Sequence, residues 1–175
     1  MRKEKYLALY TWVHSRPRLA RTLAVTDTVI TYLTVAVYGF FLGYLVFGDL
    51  ITGLRFLAVT ATPFVIITLV RHLINAPRPY EVFEHDALAQ IKKSGKAGHA
   101  FPSRHVASVF IIGSALCFVC LPAGISLIAG ISLMALGAIL GACRVLLGRH
   151  FVRDTVVGGI LGVISGVGGM LITMI

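Results

Sequence analysis

The chain has 175 residues, 57% of them apolar and only 13% charged, with a formal net charge of +9 and a mean hydropathy of +0.88. Soluble domains average about 45–50% apolar residues, and one domain of this length has too little interior to hide the excess, so hydrocarbon is its natural solvent. The basic residues sit beside long apolar stretches, which points away from nucleic acid and toward membrane lipids with anionic headgroups or a phosphorylated substrate as partners.

Residues 1–21 hold Arg2, Lys3, Lys5, Arg16, Arg18 and Arg21 around the stretch KYLALYTWVH, where Tyr6, Tyr10 and Val13 fall on one helical face. That stretch is about half the roughly 20 residues a span requires, and no small-residue cleavage site follows it. An interfacial amphipathic helix ending near Pro17 is expected, with a frayed basic tail as the alternative. Residues 23–47 and 51–70 form the first two expected spans, Asp27 lying near the start of the first and Pro63 marking a kink in the second. A polar loop from Arg71 to Arg104 follows. Three more apolar segments cover 105–121, 124–143 and 153–175, with Pro122 and Gly124 breaking the chain between the first two. The expected fold is all-α: a single membrane domain over 1–175, built as an integral-membrane helical bundle of about five transmembrane helices plus the N-terminal interfacial helix.

Gly158, Gly162 and Gly166 recur every fourth residue in the last segment, a stripe that lets helix backbones approach closely, within the bundle or in a dimer. Oligomeric state is not readable from this. Cys117 and Cys120 form a CxxC inside an apolar run without further ligands, and Cys143 is alone; these read as small buried hydrophobes. An odd number of spans puts the N-terminus, the 71–104 loop and the 144–153 turn on one side, together with every Lys and Arg except Arg55. The N-terminal charges with Lys92, Lys93 and Lys96 then place this face in the cytoplasm by the positive-inside rule, in a plasma membrane of bacterial type.

On that face, three charged clusters sit at helix ends. Arg71 is followed by HLINAPRP and hence by Arg78; FPSRH brings Ser103, Arg104 and His105; CRVLLGRHFVRD brings Arg144, Arg149, His150, Arg153 and Asp154. Ionisable groups at membrane-helix ends need water, one another or a ligand. Singly, each has an ordinary reading: a snorkelling arginine or a local surface pair. Together they supply the parts that phosphoryl transfer requires. Arginine forks fit phosphate oxygens, and Ser103 before a helix can hold an anion. His150 and Asp154, four apart, share a face, so the carboxylate can orient a nucleophilic imidazole. His105 can protonate a leaving alkoxide. His72, His85 and His99 read as solvated loop histidines, and Tyr80 and Phe83 either line the path of a lipid chain or anchor the interface.

These residues resemble the three-part signature of the type-2 phosphatidic acid phosphatases (PAP2), which share their site with vanadium haloperoxidases. The family pattern is K-x6-RP, PSGH and SR-x5-H-x3-D. Here six residues separate Arg71 from Arg78-Pro79, Pro102 to His105 match the second part, and Cys143-Arg144, His150 and Asp154 match the third, with Arg71, Arg104 and Cys143 replacing Lys, Gly and Ser. The resemblance covers roughly residues 50–175. It implies a lipid phosphatase without metal or other cofactor, with His150 as the nucleophile forming a phosphohistidine, Asp154 as its partner and His105 as the acid. Arg71, Arg78, Ser103, Arg144 and the backbone near Arg104 would hold the phosphate. If φ at 104 is ordinary, Arg104 adds a further guanidinium for a diphosphate or an acidic headgroup. The implied substrates are phosphatidic acid, phosphatidylglycerophosphate, or a polyprenyl mono- or diphosphate. The rival readings are a catalytically silent membrane protein that binds anionic lipid or a partner, and a vanadate-dependent oxidation.

Overall fold

The structure is a computed structural model that describes residues 3–83, 97–119, 121 and 124–174. His85, Lys92, Lys93, Lys96, Cys120 and Pro122 lie outside the described residues. Among the described residues seven helices follow in order: α1 (Lys3–His14), α2 (Pro17–Gly48), α3 (Leu50–Ile74), the single turn α4 (Pro79–Val82), α5 (Arg104–Leu116), α6 (Ile125–Leu146) and α7 (Val152–Met174).

Among the described residues four helices are long and apolar enough to cross a membrane. They are α2, α3, α6 and α7, and their outward faces carry large apolar side chains such as Tyr32, Phe47, Leu73, Ile128 and Ile164. Exposure on this scale suits a bilayer, where the helix satisfies its own backbone and the side chains meet hydrocarbon. The protein is an integral-membrane helical bundle. The segment expected at 105–121 contains a helix of 13 residues, about 20 Å long at 1.5 Å per residue, which continues as turns to Val119. Helix α5 is the centre of the bundle, with nine of its residues buried, and it packs mainly on α6 and α7.

Small residues make that packing possible. A Cβ on Gly162 would lie 2.6 Å from Phe110 Cβ, and one on Gly158 would lie 2.7 Å from the Ser103 carbonyl oxygen. The glycine stripe of α7 is therefore spent inside the bundle, against α5. Helix α2 begins earlier than its apolar run, at Pro17, because proline at the first helical position is already set for the turn. At its far end Asp49 both ends α2 and caps α3, its carboxylate accepting from the Ile51 N–H. Helix α3 continues through Pro63 to Asn75, whose φ of 43° stops it.

Helix α1 carries the face expected for it, but that face is buried against protein: Tyr6, Tyr10 and Val13 are all buried. The Tyr6 ring meets Phe83 at 5.4 Å and Phe151 at 5.8 Å, while Tyr10 packs with Tyr80, Leu7 and Phe83. Trp12 faces outward beneath the Arg16 guanidinium, 4.3 Å from its ring centre. Tyr80 and Phe83 thus seat the N-terminal helix.

Candidate active site

The eight residues from Gly98 to His105 form a strap across one end of the bundle, and successive residues on it meet successive members of the three charged clusters. The Gly98 carbonyl accepts from Arg78 Nε at 3.0 Å, and the His99 carbonyl accepts from Arg71 Nη2. The Ala100 carbonyl lies 2.9 Å from His150 Nδ1. The Ser103 N–H donates to the Asp154 carbonyl at 2.9 Å. Arg104 and His105 then open α5.

Local chemistry holds the strap in place. Glu81 Oε2 accepts from the backbone N–H groups of both Arg78 and Gly98, at 2.8 and 2.9 Å. The Ala100 N–H donates to the Ala76 carbonyl at 2.9 Å. Gly98 has φ +65°, and a Cβ there would fall 2.2 Å from Asn75 Oδ1, so glycine is required on both counts. On the opposite side Gly148, φ 74°, closes α6, and the Arg149 and His150 N–H groups return to the Arg144 carbonyl at 2.9 and 3.3 Å.

The imidazole of His150 is buried, and its geometry decides its tautomer. A carbonyl can only accept, so Nδ1 carries the proton toward Ala100 and Nε2 keeps its lone pair. Asp154 lies 3.7 Å from Nδ1, beyond a hydrogen bond, and its Oδ2 accepts from the Phe151 N–H at 2.9 Å. The carboxylate faces the imidazole as a charge and fixes the turn, and the Ala100 carbonyl adds the hydrogen bond that orients the ring. Burial holds the His150 pKa below its ordinary 6.5, and the nearby Asp154 partly offsets this. Burial also raises the hydroxyl pKa of Tyr6 and Tyr10, the latter to about 12.

Arg144 is buried and bound to Asp27, 2.8 Å from Nε to Oδ1, with Nη2 3.4 Å from Oδ2. Arg149 pairs with the same carboxylate. Asp27, from the first span, is thus a missed member of the site: it fixes Arg144 and leaves Nη1 for a ligand. Arg153 is exposed and reaches Asp154 Oδ1 at 3.4 Å. Ser103 is completely buried, with a hydroxyl that has no partner among the described residues. Arg71 and Arg78 have no carboxylate within ion-pair distance there either. His99, at φ 55°, is part of the scaffold for Arg71, its Nδ1 lying 3.3 Å from the Arg71 carbonyl, and its ring 4.4 Å from that of His72. No three His, Cys, Asp or Glu side chains converge among the described residues.

The φ at Arg104 is not positive: among the described non-glycine residues only Asn75 and His99 have positive φ. Arginine is accommodated at this position as the first residue of α5. Beside it opens a cleft of about 410 Å³ between α2, α3 and α5, lined by Arg104, His105, Tyr38, Thr60 and Phe64 with aliphatic neighbours. Tyr38, Thr60 and Phe64 had no signal in the sequence beyond membership of a span.

A membrane-embedded helical bundle that gathers arginine forks, a helix N-terminus and a tautomer-fixed histidine at one end defines a class: integral-membrane helical bundles with a basic polar cluster at one end. Comparison with known families narrows it. The family model of the PAP2 superfamily matches residues 52–174, and the chain belongs to that superfamily. Two solved structures share the fold. Aquifex aeolicus LpxE matches with a TM-score of 0.66 at 21% identity, covering 94% of each chain. The transmembrane PAP2-type phosphatidylglycerolphosphate phosphatase from Bacillus subtilis matches with a TM-score of 0.65 at 19% identity, covering 97% of this chain and 92% of that one. No curated protein is a significant sequence match.

Proposed function

We propose that the protein is a lipid phosphate phosphatase that works without a metal and through a phosphohistidine at His150. The observation that carries this reading is the hydrogen bond from His150 Nδ1 to the Ala100 carbonyl, which leaves Nε2 as a neutral nucleophile beside a basic cradle. The terminal phosphate sits among Arg71, Arg78, Arg144 Nη1, the Ser103 hydroxyl and the first N–H groups of α5. These donors match the equatorial oxygens, where charge gathers in the transition state. Nε2 attacks the phosphorus in line, and the bond to the leaving oxygen breaks. His105 donates a proton to that oxygen, water then attacks the N–P bond, and inorganic phosphate is released. Asp154, close to the imidazole, stabilises the positive charge that His150 carries as a phosphohistidine.

The substrate class comprises phosphatidic acid, phosphatidylglycerophosphate and polyprenyl mono- or diphosphates. The lipid chain would lie in the cleft beside Arg104 and His105. The bias of positive charge supports a site at the cytoplasmic face of a bacterial-type plasma membrane, where products of cytoplasmic lipid synthesis arrive. The test is phosphate release by purified wild type and His150→Ala from a panel of lipid phosphates in chelator. Release by the wild type alone, with an acid-labile phosphoenzyme on rapid quench, is expected. A folded wild type that releases nothing would leave an anionic-lipid binding protein as the reading.

A further inference from the structure

Resting on the phosphatase reading, we propose that Arg104 forms a second anion subsite and that the substrate carries two phosphates, the second lying between the one removed and the lipid chain.

The position of Arg104 argues for this. It starts α5, directly after the buried Ser103 of the cradle and directly before His105. Its guanidinium lies 5.4 Å from the centre of the Phe64 ring, on the wall of the apolar cleft. A lipid seated with its terminal phosphate at His150 and its chain in that cleft passes Arg104 with the part that joins the two. In a lipid monophosphate that part carries no anionic group and offers the guanidinium no charged partner. A phosphate there gives it a partner.

The charges around the site agree. Arg144 and Arg149 share Asp27, and Arg153 faces Asp154. Arg71, Arg78 and Arg104 pair with no carboxylate among the described residues, and Glu81 is engaged by backbone N–H groups. Among the described residues, six guanidiniums thus surround three carboxylates, an excess of three positive charges. A phosphomonoester near neutral pH carries about two negative charges. A diphosphate, or a terminal phosphomonoester joined through a glycerol to an inner phosphodiester, carries about three and leaves no guanidinium uncompensated.

The chemistry balances for both forms. The N–P bond forms at His150 Nε2 while the bond from phosphorus to the leaving oxygen breaks, that oxygen keeping the pair. In a diphosphate the oxygen belongs to the inner phosphate, a good leaving group, and Arg104 neutralises its new charge. In the glycerol-spaced form it is an alkoxide that takes a proton from His105, and Arg104 holds the inner phosphodiester. Water then cleaves the N–P bond to give inorganic phosphate and free His150.

The test compares kcat/KM in one detergent for two pairs of matched chain: a polyprenyl diphosphate against its monophosphate, and phosphatidylglycerophosphate against phosphatidic acid. Wild type should prefer the two-phosphate lipid by at least tenfold in one pair, and that pair identifies the source of the second phosphate. In Arg104→Gln and Arg104→Gly the preference should fall at least tenfold, and Arg104→Lys should restore part of it. Release without a preference in either pair, or a preference indifferent to residue 104, overturns the subsite and leaves the phosphatase reading standing. Release from none of the four lipids overturns both.

Discussion

Asp27 offers the sharpest test of how the cradle is built. Its carboxylate is buried and holds two guanidiniums, with Arg144 Nε at 2.8 Å and Arg149 on the other oxygen. The Arg144 side chain is 8% exposed, so Asp27→Ala would strand its charge in a nearly dry site. Breaking a buried pair from one side destabilises by about 3–5 kcal/mol. For a chain of this size each kcal/mol is about 2–4 °C in Tm, which gives a loss of roughly 6–20 °C. Arg149 is half-exposed and recovers water, so the lower half of that range is expected. The assay is thermal unfolding in detergent, followed by intrinsic fluorescence. The double variant Asp27→Ala with Arg144→Met removes both charges and should regain most of the stability, since apolar replacement of a buried pair is often neutral or better. Phosphate release should stay at least tenfold down in both variants, because each lacks an oriented Arg144. An unchanged Tm in Asp27→Ala, or a double variant no more stable than the single, would refute the claim that this carboxylate exists to hold Arg144.

Three further outcomes follow from the same geometry. Because burial keeps the His150 pKa below 6.5 in the folded protein, its contribution to stability is complete above pH 6.5 and lost as pH falls through and below that value; Tm should drop more steeply from pH 7.5 to 5.5 in wild type than in His150→Gln, and parallel curves would contradict it. Gly162→Leu drives a side chain into Phe110 and the Ala107 carbonyl, both within 2.7 Å of its Cβ, and should destabilise by about 1–3 kcal/mol or more, whereas the same change at Gly168, where nothing lies within 4 Å, should be tolerated in detergent unfolding. Ser15→Cys, exposed between α1 and α2 in a background without native cysteines, should react with an impermeant maleimide only after cells are opened; labelling of intact cells would reverse the membrane orientation.

Much of this was legible in the sequence because the signals are local. Spans announce themselves as apolar runs, and the motif residues sit at fixed distances along the chain. What was not legible was long-range or carried by the backbone. Asp27 is 117 residues from Arg144, so no window of sequence joins them, and a lone carboxylate early in a span reads as a boundary. The carbonyls of Gly98, His99 and Ala100 orient three of the charged side chains, yet a carbonyl belongs to every residue and leaves no trace in composition. Asp154 is visible by its i+4 spacing, whereas for the same reason the Ala100 carbonyl that also meets the imidazole is not. Periodicity showed which face of α1 is apolar but not that Tyr80, Phe83 and Phe151 would cover it. Hydropathy continues past Leu116, where helix α5 ends, so composition does not mark that boundary.

The strap from Gly98 to His105 also gives a reason for arginine at position 71. Its Nη2 is occupied by the His99 carbonyl, so the side chain must tie down a backbone group and still present donors to an anion. A guanidinium can do both, because its five N–H groups fan out in a rigid plane and fixing one nitrogen aims the rest. An ammonium at this position can make the same bond, but its remaining donors rotate about a flexible stem. Arg78 repeats the device, its Nε held by the Gly98 carbonyl. Arg144 repeats it again, with Asp27 in place of a carbonyl. Each of the three forks is pinned by its scaffold, at one nitrogen in Arg71 and Arg78 and at two in Arg144. A cradle assembled this way holds its donors in place before the anion arrives, so little reorganisation remains when charge develops on phosphorus.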